Sequence, residues 1–156
     1  MCAVELHQQQ GAGMNEERIS QCVAIVQRYR NVFGFVSRAM VEDAYARKRL
    51  LVAFDTTDQR VVGWLRFGVL AQHATISLVC VEQPQCGVGT KLLNGLIQTL
   101  RSYFPGPFRI IAKCPVDEPA NAFYAKRGFV QIAQIDGKRR RLNVWERIII
   151  PVDLPS

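Results

Sequence analysis

Residues 76–93 read ISLVCVEQPQCGVGTKLL, an apolar run that passes through a turn with two glycines into a leucine-rich segment. The apolar run belongs to a strand predicted for residues 74–81, and leucines spaced three and four residues apart predict a long helix from Thr90. Glycines at such a junction let backbone N–H groups approach an anion, and the helix N-terminus adds partial positive charge. The stretch favours an anion-binding turn, although a tight turn without any ligand has the same G-x-G pattern.

The segments on either side of this stretch alternate between helices and strands. Apolar periodicity predicts a helix at residues 15–30 and a second helix that Ser37 caps and that ends near Arg47. A strand pair follows at 50–55 and 60–69. Beyond the long helix we expect a strand at 108–113, a helix at 117–127 capped by Asp117, and closing strands at 129–135 and 141–149. This order favours a mixed α/β sheet with helices on both faces.

Length and composition favour one domain spanning residues 1–156, with 49% hydrophobic and 21% charged residues. The sequence has no apolar run of about 20 residues and no secretory signal pattern at its start, so we expect a cytoplasmic protein without a membrane contact. Five scattered cysteines and two histidines indicate neither a disulfide framework nor a metal site. Cys80 and Cys114 lie in or just after apolar strands, which favours packing over a nucleophilic role.

A second motif, DEPANAFYAKRGF at residues 117–129, places Tyr124 late on a helix that Gly128 ends. In an arbitrary sequence this tyrosine would be read as a buried aromatic residue. Together with GVGTKLL at 87–93, however, the motif resembles the acetyl-CoA and acceptor motifs of the GNAT superfamily of N-acetyltransferases. The resemblance in motif and order extends over residues 50–149, and the first two helices fit it more loosely.

The resemblance implies an α/β (α+β) fold with a mixed, mostly antiparallel sheet of about six to seven strands, flanked by helices and splayed after the fourth strand. It also implies acetyl-CoA as the acyl donor, with its pyrophosphate on backbone amides of the glycine turn and its pantetheine arm in the cleft that the splay opens. The residues expected to bind this donor are Val79, Val81, Gln85, Cys86, Gly87, Val88, Gly89, Thr90 and Asn121.

The same resemblance assigns the chemistry to direct attack by an amine within a ternary complex, without a covalent enzyme intermediate. Tyr124 is the expected general acid, because a phenol with an ordinary pKa of about 10 stays protonated and can donate to the departing thiolate. A backbone N–H of the splayed strand would stabilise the oxyanion. Glu82 is the leading candidate for the general base, water is the second, and His73 is a third.

Two positions depart from the family pattern. Pro84 stands where the family usually has Arg or Gln, three residues before the first glycine, and Gln83 and Gln85 flank it. Either glutamine side chain could substitute. Asp117 stands where many relatives carry Asn, seven residues before the tyrosine, and we expect it to act as a helix cap rather than as a ligand.

The expected acceptor is the amine of a small molecule or a peptide, and a homodimer is compatible with the sequence. The basic run at residues 138–141 is typical of a solvated hairpin tip, but it could also contact nucleic acid. Two alternatives therefore stay open. One is a toxin-like acetyltransferase acting on aminoacyl-tRNA, and the other is a non-catalytic binding module in which Pro84 has impaired the donor site.

Overall fold

The structure, a computed structural model, describes residues 4–7, 14–29, 34–84 and 86–151. The described helices are α1 (Glu16–Gln27), α2 (Arg38–Ala46), α3 (Val88–Tyr103) and α4 (Ala120–Lys126). The strands are β1 (Val4–His7), β2 (Leu50–Asp55), β3 (Val61–Val69), β4 (His73–Val81), β5 (Phe108–Pro115), β6 (Val130–Asp136) and β7 (Arg141–Ile149). Among the described residues, no helix combines the length and apolar composition needed to cross a lipid bilayer.

Local capping explains where the first two helices begin. The side chain of Asn15 accepts a hydrogen bond from the backbone N–H of Arg18 at 2.9 Å, and two glutamates follow in the first turn of α1. Ser37 caps α2 in the same way, because its hydroxyl oxygen accepts from the backbone N–H of Met40 at 3.3 Å. The predicted Ser37 cap is confirmed.

The chain divides into two compact units, the first of which comprises Met1–Phe67 and Leu78–Leu96. Its strands follow the order β1-β2-β3-β4, with β1 and β2 antiparallel and β2 and β3 antiparallel. Trp64 is 1% exposed at the centre of its core, and the indole N–H donates to the backbone carbonyl of Cys22 in α1 at 2.9 Å. Apolar residues of α1 and α2 are thereby packed on this part of the sheet.

The second unit comprises Gly68–Ser77 and Ile97–Ser156, and its strands follow the order β4-β5-β7-β6. The pairing of β4 with β5 is parallel and joins residues 73–76 to residues 109–112, whereas β5 with β7 and β6 with β7 are antiparallel. The predicted mixed, mostly antiparallel sheet is confirmed. The parallel ladder joins the first four residues of β4, His73 to Ile76, to β5.

The ends of several elements differ from the sequence-based expectations, for example α1 ends at Gln27 rather than at residue 30 and β5 at Pro115 rather than at residue 113, and three further differences concern β1, α3 and α4. Strand β1 was not predicted, because four residues are too short to show a reliable alternation. Helix α3 begins at Val88 rather than at Thr90, so part of the glycine turn is its first turn. The predicted cap of α4 at Asp117 is wrong: the helix begins at Ala120, and its N-cap residue Pro119 makes no side-chain capping bond.

Candidate active site

The glycine turn ends in the N-terminus of α3, a helix of 16 residues with no acidic residue in its first turn. Gly87 has φ +78°, a left-handed conformation that favours glycine, and a β-carbon there would meet no atom of the described residues within 4 Å. The backbone N–H of Lys91 donates to the carbonyl of Gly87 at 3.1 Å. The N–H groups of Val88 and Gly89 precede this bond at the N-terminus of α3, an arrangement that suits a pyrophosphate.

Two other residues of the predicted donor site flank this turn. Cys86 is half-buried, and its thiol lies 3.7 Å from the side-chain oxygen of Gln83. Gln85, which was also expected to bind the donor, lies outside the described residues. The neighbouring Pro84 is exposed. In the described part of this turn, backbone N–H groups are the groups that suit the predicted donor site.

The C-terminal half of β4 presents backbone groups on the side away from β3. The N–H of Glu82 donates to the carbonyl of Val62 at 2.8 Å, and backbone groups of successive strand residues point to alternate sides. The groups of Val81 and Val79 therefore point away from β3. The phenol of Tyr29, at the end of α1, donates to the carbonyl of Val81 at 2.8 Å and so fixes its orientation.

Tyr29 was not identified from the sequence. It appears there only as one more apolar position of an amphipathic helix, and its partner lies 52 residues away along the chain. Burial, the nearby Cys80 and, in the opposite direction, Arg28 act on its phenol, with the net effect that its pKa is raised above the ordinary value. Tyr29 is therefore a neutral hydrogen-bond donor next to the predicted oxyanion strand.

The carboxylate of Glu82 lies between two arginines at the end of β4. Its Oε1 accepts a short hydrogen bond from Arg60 and lies 3.8 Å from the guanidinium of Arg28, and its side chain is 14% exposed. The hydrogen bond to Glu82 raises the pKa of Arg60. To accept a proton from an amine, Glu82 would have to exchange one of these cations for the substrate.

The structure places His73, the third candidate for the base, at the start of β4, where it is half-buried.

The ring of Tyr124 is packed among aromatic residues of the second unit. Its centroid lies 5.5 Å from Phe123, 5.2 Å from Phe129 and 6.5 Å from Trp145, and the residue is 4% exposed. Gly128, with φ +83°, ends α4 and turns the chain so that the N–H of Phe129 donates to the carbonyl of Tyr124 at 3.1 Å. The ring is therefore fixed by packing and not by its hydroxyl.

The hydroxyl of Tyr124 makes no hydrogen bond within the described residues. Burial, with a smaller contribution from Cys114, raises the pKa of this phenol well above its ordinary value of 10.0. The phenol therefore keeps its proton at any physiological pH, and the proton is not committed to another group of the described chain. Such a group can act as a general acid.

Asn121, one turn before Tyr124 on α4, is saturated by internal hydrogen bonds. Its Nδ2 donates to the carbonyls of Pro115 and Glu118, each at 2.8 Å. Its Oδ1 accepts from Asn143 at 3.0 Å and from the indole of Trp145 at 2.9 Å. The side chain thus joins the start of α4 to strands β5 and β7, and a contact with pantetheine would require it to release one of these partners.

Asp117 does not cap α4 because its carboxylate pairs with Arg140 from the turn between β6 and β7. The hydrogen bond from Arg140 lowers the pKa of Asp117, and Glu118 accepts from the same guanidinium at 2.8 Å. Arg141 pairs with Asp136 at 3.0 Å. Two of the four cations at 138–141 are therefore engaged with carboxylates of the chain.

The cysteines considered as acyl acceptors are buried. Cys80 is 4% exposed and Cys114 is also 4% exposed. Burial raises the pKa of both thiols, that of Cys114 to about 11, so the thiolate that nucleophilic catalysis requires is scarce at neutral pH. Packing, rather than covalent catalysis, accounts for both residues.

The predicted residues are distributed over the two units. The first unit brings together Glu82 and the donor residues Val79, Val81, Cys86, Gly87, Val88, Gly89 and Thr90. The second unit holds Asn121 and Tyr124 on one helix. Sequence reasoning missed Tyr29 and the Asn143–Trp145 pair, which are joined to the predicted residues only through long-range hydrogen bonds.

Several solved structures are similar in fold to this chain. Ard1 from Thermoplasma volcanium is similar in structure, with a TM-score of 0.79 and 19% identity over 96% of this chain and 99% of that one. The PaiA N-acetyltransferase from Thermoplasma acidophilum, solved with coenzyme A, has a TM-score of 0.73 and 14% identity over 93% and 98%. The ribosomal-protein-S18-alanine N-acetyltransferase from Escherichia coli has a TM-score of 0.71 and 15% identity over 99% and 100%.

These likenesses, all below 20% identity, concern the fold. A search of curated protein sequences finds no match. The sequence pattern of the Acetyltransferase (GNAT) family, by contrast, matches residues 21–129, which include the glycine turn, Glu82 and Tyr124. The chain therefore belongs to the GNAT family of acetyltransferases, whose acyl donor is acetyl-CoA.

Proposed function

We propose that the protein is an N-acetyltransferase that moves the acetyl group of acetyl-CoA to the primary amine of a small molecule or peptide. The observation that carries this proposal lies within the first unit. The amide-lined N-terminus of α3 directly follows β4, whose Val79 and Val81 direct their backbone groups away from β3. An anionic head and an extended amide-containing arm are the two parts of coenzyme A that these two features would bind.

The backbone groups of the first unit would hold the donor in the following way. Amides from Cys86 to Thr90 would bind the pyrophosphate, with Gln85 as an additional contact. The backbone of Val79 and Val81 would pair with the pantetheine amides, and an N–H of this segment would polarise the thioester carbonyl. Tyr29 would keep the carbonyl of Val81 fixed, so that the neighbouring backbone does not rotate during the reaction.

The chemistry proposed is a single displacement without an acyl-enzyme. The neutral amine attacks the thioester carbonyl carbon, and a C–N bond forms while the C–S bond breaks. The departing thiolate takes the proton of Tyr124, which is then restored from solvent. The proton lost by the amine passes to water, because Arg28 and Arg60 already occupy the carboxylate of Glu82. Glu82 then serves mainly to hold these two arginines.

The acceptor is proposed as an amine rather than nucleic acid. The structural neighbour that acetylates an alanine of a ribosomal protein supports a peptide amine as one such class. The basic run at 138–141 argues against a polyanion, because Arg140 and Arg141 are paired with carboxylates of the chain. We propose the cytoplasm as the site of action, where acetyl-CoA is available.

Calorimetric titration with coenzyme A tests this function. We expect binding by the parent protein and its loss in Gly89→Glu, because the new carboxylate would stand at the helix end where the pyrophosphate is proposed to lie. Gly106→Glu, in the open turn before β5, is the matched control and should bind normally. Failure of the parent to bind coenzyme A would favour a binding module without catalytic activity. Normal binding by Gly89→Glu would show that the phosphate site lies elsewhere.

A further inference from the structure

Gly63 in β3 lies against the first residue of α3. A β-carbon built at Gly63 would stand 2.8 Å from Cγ1 of Val88, 3.1 Å from the carbonyl oxygen of Cys80 and 3.2 Å from Cγ1 of Val81. Carbon atoms in ordinary contact are about 3.5–4.0 Å apart. Even one methyl group at position 63 would therefore overlap with both parts of the proposed donor site.

The atoms that meet this position cannot move away alone. Val88 is 3% exposed and β-branched, so its Cγ1 has little freedom to rotate away, and it directly follows the left-handed Gly87 at the start of the helix. The carbonyl of Cys80 belongs to the backbone of β4 between Val79 and Val81. A side chain at position 63 would shift these groups by several tenths of an ångström, since protein interiors are closely packed.

We infer that Gly63 is a positioning residue for the acyl donor, an inference that rests on the proposed function. Its lack of a side chain lets the first turn of α3 lie directly on β3. This close contact sets the position of the amides of the glycine turn relative to the backbone of β4. Gly63 does not itself touch the donor in this account, and it acts through Val88 and Cys80.

The test compares Gly63→Ala with Gly68→Ala. Both glycines lie in β3 and neither has a positive φ, but a β-carbon at Gly68 would meet no atom of the described residues within 4 Å. We expect the dissociation constant of coenzyme A, measured by calorimetry, to rise about tenfold or more in Gly63→Ala and to stay unchanged in Gly68→Ala. A purely structural role would lower the melting temperature of Gly63→Ala without changing the affinity of its folded fraction.

A second substitution tests the contact itself. Val88→Ala removes the Cγ1 atom that lies 2.8 Å from the added carbon, so Gly63→Ala/Val88→Ala should bind coenzyme A more tightly than Gly63→Ala alone. If the single variant does not fold, the double variant must fold and bind, and its failure to do so would overturn the inference. Unchanged affinity in Gly63→Ala would overturn it as well. A parent protein without affinity for coenzyme A would overturn the proposed function itself.

Discussion

Tyr124 has a closely packed ring and a hydroxyl without a hydrogen bond to any described residue, and Tyr124→Phe removes only the hydroxyl. The three aromatic neighbours of the ring should keep the variant folded. We expect kcat to fall by about 10²-fold, the usual effect of losing one acid catalyst, while the dissociation constant of coenzyme A stays nearly the same. Steady-state kinetics with an amine acceptor and calorimetry measure the two quantities.

The pH dependence provides the control for this variant. Because burial raises the pKa of Tyr124, its acid form persists as the pH rises through 10.0, the ordinary value for a phenol. Parent turnover should therefore show no loss from this group up to about pH 10. Equal turnover of parent and variant across this range would remove Tyr124 from the chemistry and leave its ring a packing role.

For Asn121, a structural role and a role in binding coenzyme A predict different effects of substitution. In Asn121→Ala the indole of Trp145 and the amide of Asn143, residues that are 8% and 7% exposed, lose their acceptor. We expect the free energy of unfolding to fall by about 2–3 kcal/mol in urea denaturation, because buried donors left unpaired are costly.

Gln134→Ala is the matched control for Asn121. Gln134 donates to Oδ1 of Asn143 at 3.0 Å and accepts from Arg141 at 3.1 Å, but it lies on the exposed strand β6. Its loss leaves one buried acceptor unpaired rather than two donors, so it should cost clearly less than Asn121→Ala. If Asn121→Ala instead retained its stability but bound coenzyme A weakly, Asn121 would contact coenzyme A, as the resemblance implies, rather than hold α4 to the neighbouring strands.

At the scale of elements, the turn between β6 and β7 tests the nucleic-acid alternative. Arg140 and Arg141 form ion pairs with the chain, so the informative variant is Lys138→Gln/Arg139→Gln, which leaves these pairs intact. We expect a change in unfolding free energy within about 0.5 kcal/mol and unchanged turnover on a small amine. Filter binding of aminoacyl-tRNA over a range of salt concentrations would contradict this if a steep dependence in the parent became shallow in the variant.

Elements with a local signal could be predicted from the sequence, and those that depend on distant partners could not. Strands β2 and β7 have the predicted bounds, Leu50–Asp55 and Arg141–Ile149, because short segments rich in apolar and β-branched residues between polar turns specify them locally. The start of α4 was wrong because the guanidinium that binds Asp117 comes from a residue 23 positions away. The residues near Asp117 in the sequence do not indicate that Arg140 binds its carboxylate in place of the helix N-terminus.

The candidate site follows the same rule. The glycine turn could be predicted, since the left-handed Gly87 and the beginning of α3 are properties of a few consecutive residues. The contact of Tyr29 with Val81 and the close approach of Gly63 to Val88 arise only when strands and helices assemble. A pattern of residue types in one sequence contains no information about these pairs.

At the scale of the whole molecule, the formal net charge of +7 acts on the two proposed substrates in opposite senses. Acetyl-CoA carries several negative charges on its phosphates, so a cationic protein attracts it and raises its rate of association. An amine acceptor is largely protonated and cationic at neutral pH, and the same field repels it. Salt screens both effects, since the Debye length falls from about 30 Å at 0.01 M to about 10 Å at 0.1 M.

We therefore expect opposite salt dependences for the two substrates. Between about 0.01 M and 0.1 M salt, acetyl-CoA should associate more slowly in stopped-flow measurements, because its attraction to the protein is screened. A cationic amine should bind more easily, seen as a lower KM, because its repulsion is screened. A neutral, uncharged acceptor analogue should show no change in KM, which separates field effects from changes in the protein. Lys138→Gln/Arg139→Gln, with two fewer positive charges, should show a smaller change for both substrates. If salt raised the KM of the cationic amine, the acceptor would be attracted by a local acidic site, and the net charge would not govern its approach.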